Sequence, residues 1–147
     1  MGQETLSRLR IVADAFRDAT YIYLHSTIER IIQQQRRNIL INHHLPIITT
    51  TKAEALNRFL GRIRSSVLVD PAHCEYSALT FALFLAGSES VDDDEKRRDI
   101  VLALDLLDVN FGIGNVKRAK ELLCMVWSSS SHWMDVLERL DWQLVLA

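Results

Sequence analysis

The sequence predicts an all-α domain of about six helices packed around a buried central helix, roughly residues 72–87. Three observations carry that prediction. The stretch Tyr76–Gly87, YSALTFALFLAG, is apolar on every side of a helical wheel, and a helix of that kind must be enclosed by others in a soluble protein. It is also far shorter than the run of about 20 apolar residues that a bilayer demands. Second, two prolines and five glycines in 147 residues leave long uninterrupted segments, which favours helices over many short strands. Third, apolar residues along the rest of the chain recur at steps of three and four, the helical period.

Composition sets the outer bounds. Apolar residues make up 48% and charged residues 24%, as in ordinary globular proteins, and the length suits one domain over 1–147 with a single core. A net charge of −2 gives no bulk attraction to nucleic acid. The charge is divided unevenly: residues 1–64 carry ten Lys/Arg against five Asp/Glu, and residues 65–147 carry seven against fourteen. Such asymmetry reads as a docking surface or as two differently solvated faces. Cys74 and Cys124 are too few for a disulfide framework and read as reduced core cysteines of a cytosolic or nuclear protein. The start, MGQETLSRLR, has no apolar core of a secretion signal, and Ser7 misses the myristoylation spacing from Gly2 by one position.

Taken in order, the first helix is expected from Glu4 to about Gln35, opened by Thr5 or Ser7. Its stripe is Leu9, Val12, Phe16, Ala19 and Tyr23, extended by Ile28, Ile31 and Ile32, with Arg8, Arg10, Asp14, Arg17, Asp18 and Arg30 mostly opposite. Residues 38–51 mix β-prone side chains with Pro46 and read as an apolar loop packed on the core, since a lone strand has no partner. Thr51 with Glu54 forms a capping box for a helix burying Ala55, Leu56, Phe59, Leu60, Ile63 and Val67, whose other face, Lys52, Arg58, Arg62 and Arg64, is basic. The central helix follows, with Asp70 as cap, Pro71 in the first turn and Gly87 as stop. Ser90 is expected to cap a fourth helix with Asp92–Glu95 in its first turn, where acids suit the helix dipole, and with Ile100, Ala103, Leu104 and Leu107 inward. Phe111–Gly114 breaks it. Asn115 caps a fifth helix carrying Val116, Ala119, Leu122, Leu123, Val126 and Trp127, and after a serine joint the last shows Trp133, Val136, Leu137, Leu140 and Leu144.

No grouping argues for catalysis. Asp92–Glu95 fan out around a helix and lack the glycine of a calcium loop, so they read as solvated acids at a helix start. Gly112 and Gly114 ahead of Lys117 follow a helical segment, unlike phosphate loops, which follow a strand. His43–His44 and His73–Cys74 are adjacent pairs, whereas structural zinc sites use gapped ones. No metal, cofactor or enzyme activity is expected. The face Arg58, Arg62, Arg64 has no aromatic interleaving and reads as a solvated face before a phosphate-backbone contact. Asp99–Phe111 has the acidic-and-bulky pattern of activation segments, though its leucines also fit a core face.

The C-terminal third is less generic. Gly114-Asn115-Val116-Lys117-Arg118-Ala119, Glu121-Leu122-Leu123 and Val126-Trp127 resemble the "GNV-R-RA-x-ELL-x-x-VW" run of fungal-specific transcription factor domains, the regulatory regions of binuclear zinc-cluster factors. Trp133, Val136-Leu137-Glu138, Leu140 and Trp142-Gln143-Leu144-Val145-Leu146 are similar to that family's closing motif, with Asp141 where a glycine commonly stands. Ala15-Phe16, Ala19 and Tyr23-Leu24 resemble its tyrosine-bearing helix, and Leu83-Phe84-Leu85-Ala86-Gly87 its "LF-hydrophobic-AG" segment. The resemblance implies the C-terminal part of a nuclear regulatory module, or a truncated relative. Its partners would be the transcription machinery or a second copy, with a small apolar effector as a further implied ligand and no membrane. Two cysteines cannot hold the six-cysteine zinc cluster that reads DNA in that family, so no direct DNA contact is expected. The motif residues Gly114, Asn115, Val116, Arg118, Ala119, Leu122, Leu123, Trp127, Trp133, Leu140 and Trp142 read as architecture rather than as a ligand box. A free-standing helical scaffold or a small apolar-ligand-binding domain is the alternative.

Overall fold

The computed structural model describes residues 2–35 and 49–140. Their regular structure is helical throughout: α1 Gly2–Gln35, α2 Lys52–Ser65, a 3-10 turn Cys74–Leu79 leading into α3 Thr80–Ser88, then α4 Asp94–Phe111, α5 Asn115–Ser129 and α6 Trp133–Leu140. Among the described residues there is no strand. The expected apolar loop over 38–51 lies mostly outside them, as do Trp142, Leu144 and the rest of the closing motif.

The centre of the protein is α3. Thr80 and Ala82 through Ser88 are all buried, and only Phe81 is half-exposed. Helices α4, α5 and α1 pack against it, which is what a rod apolar on every side requires. Its bounds differ from the expectation. Residues 72–79 form a turn and a 3-10 segment, and the Asp70 carboxylate, expected to cap a longer helix, takes a hydrogen bond from His73 Nε2 at 2.7 Å. Gly87 is not a stop either: it lies inside α3, where a Cβ would stand 2.9 Å from Ile100 Cγ2 and 3.0 Å from Leu123 Cδ1. Glycine is there so that three helices can approach one another.

The caps follow local chemistry. Thr51 accepts from the Glu54 N–H at 3.1 Å and starts α2, as the capping box predicts. For α4 the cap is Asp93, accepting from the Lys96 N–H, not Ser90. Ser90 is buried, and its hydroxyl donates to the Ala86 carbonyl at 2.8 Å, closing the end of α3. Gly112 ends α4 in the left-handed region at φ 62°, a conformation that favours glycine. Asn115 is the first residue of α5 and caps nothing; Gly114 precedes the helix with no side-chain cap.

The buried faces of α2 (Ala55, Leu56, Phe59, Leu60, Ile63), α4 (Ile100, Ala103, Leu104, Leu107) and α5 (Val116, Ala119, Leu122, Leu123, Val126) are those the periodicity picks out. On α1 the expectation holds at Val12 and Ala19 and fails at Leu9, Phe16 and Tyr23. Val12, Ala15, Ala19, Ile22 and Ser26 are buried, whereas Leu9, Phe16 and Tyr23 are exposed. The small residues Ala15 and Ala19 allow the close packing of α1 on α2 and α3. Asp18, assigned by pattern to the solvent side, is fully buried. Both cysteines are exposed, which overturns their reading as core residues: Cys74 begins the 3-10 turn and Cys124 faces outward on α5.

Candidate functional site

The outer face of α5 forms a broad hollow among the described residues. Lys117, Lys120, Glu121, Cys124, Met125 and Ser128 are exposed or half-exposed because the opposite positions, Val116, Ala119, Leu122, Leu123 and Val126, face the core. With Asp105 and Asp108 of α4 they line a groove of about 640 Å³. Lys120 Nζ meets Asp105 Oδ1 at 2.6 Å across it. Met125 and Ser128 also line the next hollow, about 340 Å³, shared with Ser129 of α5 and with Val136, Arg139 and Leu140 of α6. The two together run along one side of α5.

Behind the groove, tryptophans join the C-terminal helices to α3. Trp127 is half-buried; its indole N–H donates to the Gly87 carbonyl at 2.8 Å, and the Arg97 guanidinium carbon stands 5.0 Å from the ring centroid. Arg97 in turn donates to the Ser90 carbonyl at 2.8 Å and to that of Val91. Trp133 is buried. It meets Phe84 edge-on with centroids 5.7 Å apart, and Tyr23 of α1 at 6.3 Å. Such aromatic pairs add to plain burial.

A polar seam runs beside them. His132, immediately before α6, accepts the Met134 N–H at Nδ1 at 3.1 Å, so its proton sits on Nε2. That nitrogen lies 2.6 Å from the Ser26 hydroxyl and 3.2 Å from the Ser26 carbonyl. Burial pushes the His132 pKa down, with Glu89 and Asp135 opposing. Arg30 of α1 holds Asp135 at 2.9 Å and Glu138 at 2.8 Å on α6. Lys52 bridges Glu29 at 2.8 Å and Glu89 at 3.0 Å. Burial works against the Lys52 charge, but these two carboxylates outweigh it and hold its pKa above the ordinary value.

The basic face of α2 is solvated at Arg58 and Arg64, which are exposed, and is ion-paired as well. Arg58 approaches Asp18 at 3.0 Å, Arg62 contacts the other oxygen of the same carboxylate, and Arg64 pairs with Asp99 at 2.6 Å. Sequence reasoning missed Asp18, and the available signal was its place between Ala15 and Ile22 on the small-residue stripe. Of the motif residues, Val116, Ala119, Leu122, Leu123 and Trp133 are buried, Asn115, Trp127 and Leu140 are half-buried, and Gly114 and Arg118 are exposed. Trp142 lies outside the described residues. Among the described residues no group of three or more His, Cys, Asp and Glu side chains is placed to hold a metal ion, and no helix is long and apolar enough to cross a membrane.

No curated protein and no solved structure matches the chain. A family model described as fungal specific transcription factor domain matches residues 1–147. With a match over that whole span, the chain belongs to the fungal specific transcription factor domain family.

Proposed function

We propose that this chain is the regulatory region of a transcription factor and acts by contact with other proteins, without reading DNA itself. Family membership supports the coarse part: a role in transcriptional regulation, in the nucleus in general, within a family that is not an enzyme class. One observation carries the finer part. The side chains best suited to a phosphate backbone, Arg58, Arg62, Arg64 and Lys52, are each drawn into ion pairs within the chain. Binding DNA through them means breaking those pairs, two of which compensate the buried Asp18 carboxylate. What remains open is the α5 groove, whose lining mixes both charge signs with Val116 and Met125. Non-obligate protein interfaces carry such a mixture.

The test is to fuse the chain to an unrelated DNA-binding domain and read a reporter. Altered output that is weakened by Met125→Glu, an exposed groove residue, is expected; unchanged output would overturn the reading. The free chain is expected to leave duplex DNA unshifted at physiological salt.

A second reading, sensing of a small apolar effector, is favoured by the groove volume, which falls within the range of about 300–1,000 Å³ that small-molecule sites occupy. A thermal-shift screen of sterols and amino acids tests it, because a ligand bound only by the folded state raises Tm. A rise abolished by Met125→Glu, at an exposed position, supports the effector, and a flat screen removes it.

A further inference from the structure

We infer that the α5 groove is docked by this chain's own residues 141–147, the segment that follows α6, so that an outside partner must displace them. The two hollows along α5 share Met125 and Ser128, and the one nearer α6 is also lined by Val136, Arg139 and Leu140. Leu140 is the last residue of α6. The segment therefore starts from the wall of the groove and not at a distance from it.

Direction and reach both favour this occupant. A joint of three residues separates α5 from α6, and Leu140 lines the same hollow as Met125. Helix α6 therefore turns back along α5 and points toward the N-terminal half of that helix. The groove runs the same way, from Ser128 to Val116. Met125 and Val116 are nine positions apart on α5, about 14 Å along its axis. The seven residues 141–147 span about 10 Å as a helix and at most about 25 Å when extended. The first covers most of that length and the second all of it.

The chemistry matches as well. Five of the seven residues in Asp141-Trp142-Gln143-Leu144-Val145-Leu146-Ala147 are apolar, and such a run gains by leaving water. Val136 and Leu140 lie one helical turn apart on the wall of the hollow, and the next step of four is Leu144. In the groove beyond, Val116, Cys124 and Met125 are the apolar part of the lining. Attachment supplies the rest: a short tether holds the segment at an effective concentration near millimolar. A free partner of equal intrinsic affinity reaches the groove second. The groove is then open for only a fraction of the time, and the apparent affinity of any outside ligand falls by that fraction.

As regulation of the groove this inference rests on the protein-contact reading, but its test needs no partner. Cys124 is an exposed thiol in the groove and serves as the probe. In a Cys74→Ser background, Cys124 is expected to react with iodoacetamide about tenfold more slowly than in the same chain carrying Trp142→Glu and Leu144→Glu, at equal helicity. In that background Leu144→Cys is expected to oxidise to a disulfide with Cys124 of the same chain, at a rate independent of dilution. Equal thiol reactivity in the two proteins, or no intrachain disulfide from either Leu144→Cys or Leu146→Cys, overturns the inference and leaves the groove to a foreign partner. Disulfide-linked dimers in place of the intrachain bond also overturn it, because the occupant is then a second copy. A protected Cys124 with a silent reporter fusion strikes the protein-contact reading alone.

Discussion

At Gly87, hydrogen is the largest side chain the space takes, with Ile100 and Leu123 about 3 Å from where a Cβ would be. The same residue's carbonyl receives the Trp127 indole N–H, so one position sets both how close the helices come and how α5 is keyed to α3. Gly87→Ala is expected to lower stability by about 1–3 kcal/mol through overpacking, and Trp127→Phe by about 1 kcal/mol through the lost hydrogen bond; urea denaturation measures both. His132 brings a pH dependence. Its folded pKa lies below the unfolded value of about 6.5, so the folded state favours the neutral ring. The unfolded state then binds more protons, and stability falls as pH drops below about 6.5. A protonated Nδ1 can no longer accept from Met134, and the ring then faces Arg30 as well as the carboxylates of Glu89 and Asp135. Melting temperatures between pH 7.5 and 5 are expected to fall more steeply for the native chain than for His132→Asn, which keeps a capping oxygen but does not titrate. Parallel slopes would count against this account of the seam.

Between helices, the α1–α2 contact is organised around a charge. Asp18 is fully buried, with Arg58 and Arg62 reaching it from α2. Arg62→Ala leaves that carboxylate with one exposed partner, Arg58, and is expected to cost about 3 kcal/mol. Replacing Asp18, Arg58 and Arg62 all by Ala is expected to cost less than Arg62→Ala alone, since no buried charge is then stranded; chemical denaturation of the two variants decides it. Much of the element level was legible in the sequence. Four helices have the buried faces that their spacing picks out, because on α2, α3, α4 and α5 the large apolar residues are the buried ones. Helix α1 departs from that rule. It carries apolar residues on two adjoining faces: Val12, Ala15, Ala19 and Ile22 turn inward, Leu9, Phe16 and Tyr23 turn outward, and spacing alone does not separate them. The ends of α3 and α4 were misplaced for a related reason. Several serines and aspartates near each end compete for the same amides, and tertiary contacts choose among them, as Ser90 turning to Ala86 shows.

For the molecule as a whole, the apolar run of residues 80–87, with Trp127 and Trp133, was sufficient to place the centre and the walls beside it. The α5 groove was not legible, because it depends on how far α4 stands from α5, and no local pattern encodes that distance. The same is true of the paired arginines on α2, whose partners come from α1 and α4. The architecture assigns two roles: a sealed rod in α3 and walls from α1, α4 and α5. Backbone hydrogen exchange under native conditions tests that layout most directly, since amides in the core open only with the whole fold. The amides of Ala82–Ala86 are expected to exchange slowest of all, together with those of Leu104 and Leu122–Leu123, while the ends of α1 exchange orders of magnitude faster. Exchange at Leu83 and Phe84 as fast as at the start of α1 would contradict an enclosed α3, and with it the packing on which every other inference about this chain is built.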